Sequence, residues 1–175
     1  MSPAQPLHSP HPTRSDIVAA ARSLVGVLYT HQGRSRMQGL DCVGLLIETA
    51  NIVGLDCADF PGYSRAPDGT LTEKMGTSLE LANRKCVHCH MPGDILCFTI
   101  NSEPQHVAIR TDYGIVHALS DSVKVNETSY DERWRRRLHS VWVWPEVDDV
   151  ELLEKAAPAR AAAARPMRKG PCRNC

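Results

Sequence analysis

What most constrains this chain is a change of period partway along it. Up to about residue 82 apolar residues recur at helical spacing; from Asp94 onward they fall in short β-branched and aromatic runs separated by turns. Ile17, Ala20, Ala21, Leu24 and Val25 share a helical face behind Thr13-x-x-Asp16, which has the form of a capping box. Leu45, Leu46, Thr49, Ala50 and Val53 mark a second helix, stopped by Gly54. A third is expected from Thr70, where Thr70-x-x-Glu73 repeats the capping pattern and Met75, Leu79 and Ala82 share a face. Strands are expected over 94–100, 105–110, 114–119, 123–128 and 140–144. Helices first and strands afterwards predict an α+β domain with N-terminal helices packed on a mainly antiparallel sheet.

The periodic region also sets the domain limits. Residues 1–12 contain four prolines and read as an extended arm, 13–146 form the domain, and 147–175 are an appendage. The last twenty positions are Ala/Arg/Pro-rich, with five Arg or Lys and no acid. Over the whole chain twenty basic and twenty acidic side chains cancel, so nothing global points to a nucleic acid or an anionic membrane as partner. There is no run of 18 apolar residues to span a bilayer. The first fourteen residues lack the apolar stretch of a secretory signal, so a substrate outside the cytoplasm implies delivery by another route. Seven cysteines without such a signal predict no disulfide framework.

The chemistry centres on Cys42, where loop becomes helix. Orphan backbone N–H groups and the helix dipole there favour a thiolate and could hold an oxyanion during acyl transfer. Gly44, directly behind it, is expected to leave room for a substrate backbone. A cysteine at such a place can equally be a buried helix residue; two histidines downstream sharpen the functional reading. If 111–114 form a four-residue turn, Arg110 pairs with Ile115 and Ala108 with His117, which puts His106 and His117 diagonally on one face of the sheet. His106 would then take the thiol proton, while His117 would fix its tautomer and support the imidazolium.

These residues lie in motifs with a family resemblance. Tyr29-Thr30-His31-Gln32-Gly33-Arg34 followed by Gly39-Leu40-Asp41-Cys42-Val43-Gly44 resembles the sequence around the nucleophile of NlpC/P60 cysteine peptidases. Met91-Pro92-Gly93-Asp94 resembles the lead-in to that family's first core strand, Gln105-His106-Val107-Ala108 its histidine strand, and Gly114-Ile115-Val116-His117 its third catalytic position. The match runs over about residues 15–145 in the family's order. The stretch from Tyr29 to Arg34, Pro61-Gly62-Tyr63 and Trp134-Arg135-Arg136-Arg137 resemble the phage-tail branch. The resemblance implies a permuted papain-like fold and cleavage of peptide bonds in peptidoglycan stems or cross-bridges without a cofactor or metal. It implies catalytic roles for Cys42, His106 and His117, and substrate contacts for Tyr29 and Asp41. Val43 stands where many members carry serine. The expected partners are peptidoglycan stem peptides and tail-tip or hub proteins, with the enzyme carried in the virion. A structural tail-tip subunit with a vestigial site, and a bacterial cell-wall amidase delivered by an injection system, are the alternatives.

Other signals weigh less. Cys86-Val87-His88-Cys89-His90 has the form of a haem-attachment motif, but covalent haem is attached outside the cytoplasm. Cys172-Arg173-Asn174-Cys175 offers a second Cys-x-x-Cys, so Cys86, Cys89, Cys172 and Cys175 could form a structural metal or iron–sulfur site if the fold united them. Asp56, Asp59 and Asp68 fit no calcium loop and read as a solvated turn region, as does the basic run from Arg133 to Arg137.

Overall fold

A computed structural model describes residues 11–65, 68–84 and 87–147. Helix α1 (Arg14–Ser23) starts at the expected capping box: Thr13 Oγ1 accepts from the Asp16 N–H, and the Asp16 carboxylate accepts from the Thr13 N–H at 2.9 Å. Helix α2 (Cys42–Val53) is capped by Asp41, whose Oδ1 accepts from the Gly44 N–H at 2.9 Å, and ends at Gly54 with φ of 77°. A left-handed residue there closes the last turn without a Cβ penalty.

Helix α3 (Leu71–Thr77) departs from expectation. The capping box at Thr70 does not form, because its N–H and hydroxyl both donate to the Asp68 carboxylate, at 3.0 and 2.8 Å. A hydroxyl held by the preceding turn is not available to the helix amides. The helix also stops before Leu79, and Ala82 opens a strand instead.

A two-residue hairpin, β1 (Arg34–Ser35) with β2 (Gly39–Leu40), precedes α2. The main sheet has six strands, β3 (Ala82–Arg84), β4 (Ile95–Ile100), β5 (Glu103–Arg110), β6 (Gly114–Ala118), β7 (Val125–Ser129) and β8 (Leu138–Val143). Their order is β3-β8-β4-β5-β6-β7 and every pairing is antiparallel. Helix α4 (Glu132–Arg135), capped by Asp131, joins β7 to β8. Neither β3 nor α4 was expected, since three or four residues show no period. The strand expected from residue 123 begins at Val125, because Val123 sits at φ 59° closing a 3-10 turn over Ser120–Ser122. Asp94 lies just ahead of β4, where its carboxylate meets Arg14 at 2.5 Å and the Met91 N–H at 2.8 Å, tying the start of α1 to the sheet.

Alternation along the strands gives the sheet two apolar faces. Ile95, Cys97, Val107, Ile109 and Val116 pack against α1 and α2. Leu96, Phe98, Ala108, Ile115 and Val141 face Tyr130 and Trp134. Leu45, Leu46 and Ala50 of α2 are fully buried on the first face. Each large aliphatic side chain buried there stabilises by about 1.5–3 kcal/mol. This packing holds the start of α2 over β5.

Candidate active site

Cys42 is the first residue of α2 and is half-buried. Its sulfur lies against the sheet at Val107, next to His106 in β5. Burial pushes the thiol up to about 12, and the charge of Asp41 adds to the rise; the backbone N–H groups of Val107 and Val43, aimed at the sulfur, oppose it. The resting group is therefore a neutral thiol with two amide donors already directed at it.

His106 and His117 stand where the turn length places them. The β5–β6 ladder pairs Arg110 with Ile115 and Ala108 with His117. Thr111 fixes the turn, its Oγ1 accepting from the Gly114 N–H at 2.8 Å. The two imidazoles meet on one face, with His106 Nε2 and His117 Nδ1 3.1 Å apart. Both residues are only 4% exposed. Burial pushes His106 down to about 3, with neighbouring His117 contributing, and burial alone pushes His117 down to about 4. Both rings are neutral at physiological pH, so their bond is one N–H donating to one lone pair.

Three contributors were not foreseen in the sequence. Thr128 of β7 sits 3.2 Å from His117 Nε2 through its Oγ1, which extends the imidazole pair by one hydroxyl. Trp134, expected only to fill core and rim, packs edge-on to His117 at 5.1 Å and tilted against His106 at 5.7 Å. Phe98 stacks on His106 from the neighbouring strand at 6.2 Å. These rings supply the desolvation that keeps the histidines neutral. Thr128 pairs with Ile115 and lies diagonally from His117, whose own partner is Asn126, so it could have been found only with the β6–β7 register known.

Asp41 occupies a different setting. It is 2% exposed, and both carboxylate oxygens are engaged. Oδ1 accepts from the Gly44 N–H and from Arg34 Nη1 at 3.2 Å; Oδ2 accepts from the Gln32 N–H at 2.7 Å and from the Tyr63 hydroxyl at 2.5 Å. Arg34 reaches on to Asp59 through Nε at 3.0 Å and to the Tyr63 hydroxyl through Nη2 at 3.1 Å. His31 Nδ1 lies 3.7 Å from Oδ2. Asp59, expected as a solvated loop residue, is thus part of this network. Gly44 serves packing rather than substrate access: a Cβ there would collide with the Gly33 carbonyl oxygen, so the helix start sits directly on the preceding loop. Tyr29 is half-buried and packs on the same core as Cys42. Its hydroxyl is raised by burial first and then by the charges of Asp41 and Cys42.

Cys86, Cys172 and Cys175 lie outside the described residues, and Cys89 is exposed. Among the described residues, no group of three His, Cys, Asp or Glu is gathered to hold a metal ion. No helix among them is long and apolar enough to cross a membrane.

A cysteine-led helix laid over an antiparallel sheet whose strands present a bonded imidazole pair defines a papain-like α+β class, in permuted order. Residues 26–143 match the NlpC/P60 family, and the chain belongs to it. No curated protein sequence matches it. Among solved structures it is similar to a lipoprotein-like protein of the NLP/P60 family from Staphylococcus aureus subsp. aureus Mu50, at 20% identity and a TM-score of 0.51, covering 82% of this chain and 46% of that one. An NlpC/P60 family protein from Bacillus cereus ATCC 10987 matches at 19% identity and a TM-score of 0.54, over 75% and 40%. The NlpC/p60 domain of the peptidoglycan hydrolase SagA matches at 21% identity and a TM-score of 0.50, over 75% of this chain and 98% of that one. The chain spans less than half the length of the first two.

Proposed function

We propose that this protein is a cysteine peptidase acting on peptide bonds of bacterial peptidoglycan, with Cys42 as nucleophile and His106 as its base. The observation that carries the reading is the imidazole pair at 3.1 Å together with a helix-start thiol that receives two backbone N–H groups, one of them from Val107, the residue that follows His106. Family membership carries the choice of substrate.

The neutral resting state sets the order of events. A thiol pushed up to about 12 and an imidazole pushed down to about 3 do not form an ion pair at rest. Proton transfer therefore accompanies attack. Nε2 of His106 faces His117, so Nδ1 is the nitrogen left for the thiol proton. His106 then carries its resting proton on Nε2 and donates it to His117 Nδ1, and His117 holds its own on Nε2 and donates it to Thr128 Oγ1. As the S–H proton moves to His106, sulfur bonds to the scissile carbonyl carbon and the carbonyl oxygen gains the charge, which backbone N–H groups at the start of α2 stabilise. The C–N bond breaks as His106 returns the proton to the leaving amine. Water, deprotonated by His106, then bonds to the acyl carbon, the C–S bond breaks, and His106 returns the proton to sulfur. Tyr29 borders the substrate side of the thiol, and Asp41 positions the helix start through its bond to Gly44.

Digesting purified sacculi and analysing the products by mass spectrometry tests this. New peptide amino and carboxyl ends are expected; new sugar reducing ends without them would contradict a peptidase.

The finer reading is an enzyme carried at a phage tail tip, where it opens the wall for genome entry. Its support is the motif shared with the phage-tail branch: Gln32, Arg34 and Tyr63 all bond to Asp41, and His31 lies beside it. These otherwise separate stretches act as one unit in the fold. Genes for tail proteins beside this one and the protein's presence in purified virions are the expected outcomes. A neighbourhood of injection-system genes would point to the delivered amidase instead.

A further inference from the structure

The sheet face that carries the histidines also carries a hollow that the proposed reaction does not use. It has a volume of about 480 Å³ and is lined by His88, His90, Arg110, Tyr130 and Arg135, with Val87 and Leu138 at its apolar side. That size is within the range of small-molecule sites, roughly 300–1,000 Å³. No acidic residue lines it among those described.

The two charged side chains in its lining, Arg110 and Arg135, are both basic. Arg110 and Arg135 both approach the Tyr130 ring, with guanidinium carbons 5.3 and 5.7 Å from its centroid. His90 meets the same ring edge-on at 5.0 Å. Two carboxylates outside the lining act on it, Asp94 on His90 and Asp112 on Arg110, and each is also paired with an arginine of α1, Asp94 with Arg14 at 2.5 Å and Asp112 with Arg22 at 2.7 Å. Burial lowers Arg110 from its ordinary value, with Tyr130 and Asp112 opposing and Arg135 adding to the fall; burial and then Arg110 lower His90, with Asp94 opposing. His90 Nδ1 and Arg110 Nε are both buried without a hydrogen-bond partner among the described residues. A buried polar atom left unpaired is costly, and both of these belong to residues that line the hollow.

We propose that this hollow is an oxyanion-binding site, taking a carboxylate or phosphate group between Arg135 and Arg110 with the histidines beside it. Guanidinium groups match the planar oxygens of either anion. The Tyr130 ring holds the two like charges in place without neutralising them. Arg110 is anchored from behind, its Nη1 donating to the Gly114 carbonyl at 2.7 Å, so its position does not depend on the ligand. Arg135, in α4 and exposed, is the residue through which binding can be altered without touching the core.

The test is an NMR titration of the full chain near neutral pH, following the imidazole C–H signals of His88 and His90 with inorganic phosphate in one series and acetate in another. Saturable shifts confined to these histidines are expected, and the anion that saturates at lower concentration identifies the group the site is built for. Arg135→Gln should weaken binding about tenfold, the loss expected for a charge-assisted contact. Arg136→Gln removes the same charge from a neighbour that pairs with Glu132 at 2.9 Å and does not line the hollow; it should change affinity little. Shifts that never saturate with either anion, or equal weakening by both substitutions, would overturn the proposal. The readout is binding, so it stands apart from whether Cys42 is a nucleophile.

Discussion

The two sides of Cys42 are built on opposite principles. On the loop side, Asp41 is a buried carboxylate whose oxygens accept from Gly44, Arg34, Gln32 and Tyr63. On the strand side, His106 and His117 are neutral, walled by Phe98 and Trp134, with one polar neighbour at the far end of the pair. A saturated network of charge fixes position, because no member can move without leaving another unpaired. A desolvated imidazole pair instead keeps a proton-accepting nitrogen uncharged and available. The site separates holding from reacting, and substitutions on the two sides should fail in different ways.

The largest contrast is in rate. His106→Ala should reduce turnover by about 10² to 10⁴-fold, the usual range for a general base. His117→Ala should cost less, because it acts on the proton only through His106. Steady-state kinetics on soluble muropeptides would break the assignment if His117 proved the more critical of the two.

Asp41→Ala should fail by unfolding. It takes from Arg34, whose side chain is only 17% exposed, one of its two carboxylate partners, and leaves the Gln32 N–H and the Tyr63 hydroxyl without their acceptor. Breaking a buried charge network from one side costs about 3–5 kcal/mol, measurable by urea denaturation. A stable Asp41→Ala protein with normal substrate affinity would show that the network is dispensable.

Acid should sharpen the same contrast. His106 and His117 are depressed to about 3 and about 4 from an ordinary 6.5, so between those values and 6.5 the unfolded chain binds more protons than the folded one. Stability should therefore rise with pH across that window and fall on acidification through it. Cys42 has the reverse sense at the alkaline end: raised to about 12 from 9.0, it should make stability fall as pH climbs through that interval. Replacing His106 by a neutral side chain should flatten the acidic slope in a series of unfolding curves, and an unchanged slope would contradict its buried neutral state.

The smallest effect belongs to Thr128. Thr128→Val keeps the shape and removes the hydroxyl, which should lower turnover by two- to tenfold, about 0.5–1.5 kcal/mol for one hydrogen bond. Thr128→Ser should restore it. A positioning role predicts a shift in the pH profile of turnover as well, which simple loosening of β7 would not give.

How much of this the sequence could reveal depended on the range of each interaction. The pairing of Ala108 with His117 was legible because a four-residue turn and a two-residue period leave one register. The α2 cap was within reach of the motif itself, since Asp41 and Gly44 are three residues apart. The Asp41 network was not, because Tyr63 arrives from 22 residues away through a loop with no period. Thr128 was hidden for a related reason: a 3-10 turn and a left-handed Val123 set where β7 begins. At Thr70 a local competitor, Asp68, captured the hydroxyl that the capping pattern assigned to the helix. Family resemblance named Cys42, His106 and His117, but the geometry alone separates Asp41, closed in by its own partners, from groups open to a substrate.

The central claim is that the thiol of Cys42 performs the chemistry on a scaffold that does not need it. Cys42→Ala can be compared with the unmodified protein on purified sacculi, with released peptides quantified by mass spectrometry and the fold checked by circular dichroism and thermal unfolding. The account predicts a folded Cys42→Ala protein that releases no peptide above background while the unmodified protein does. Peptide release at the unmodified rate by a folded Cys42→Ala protein would contradict it.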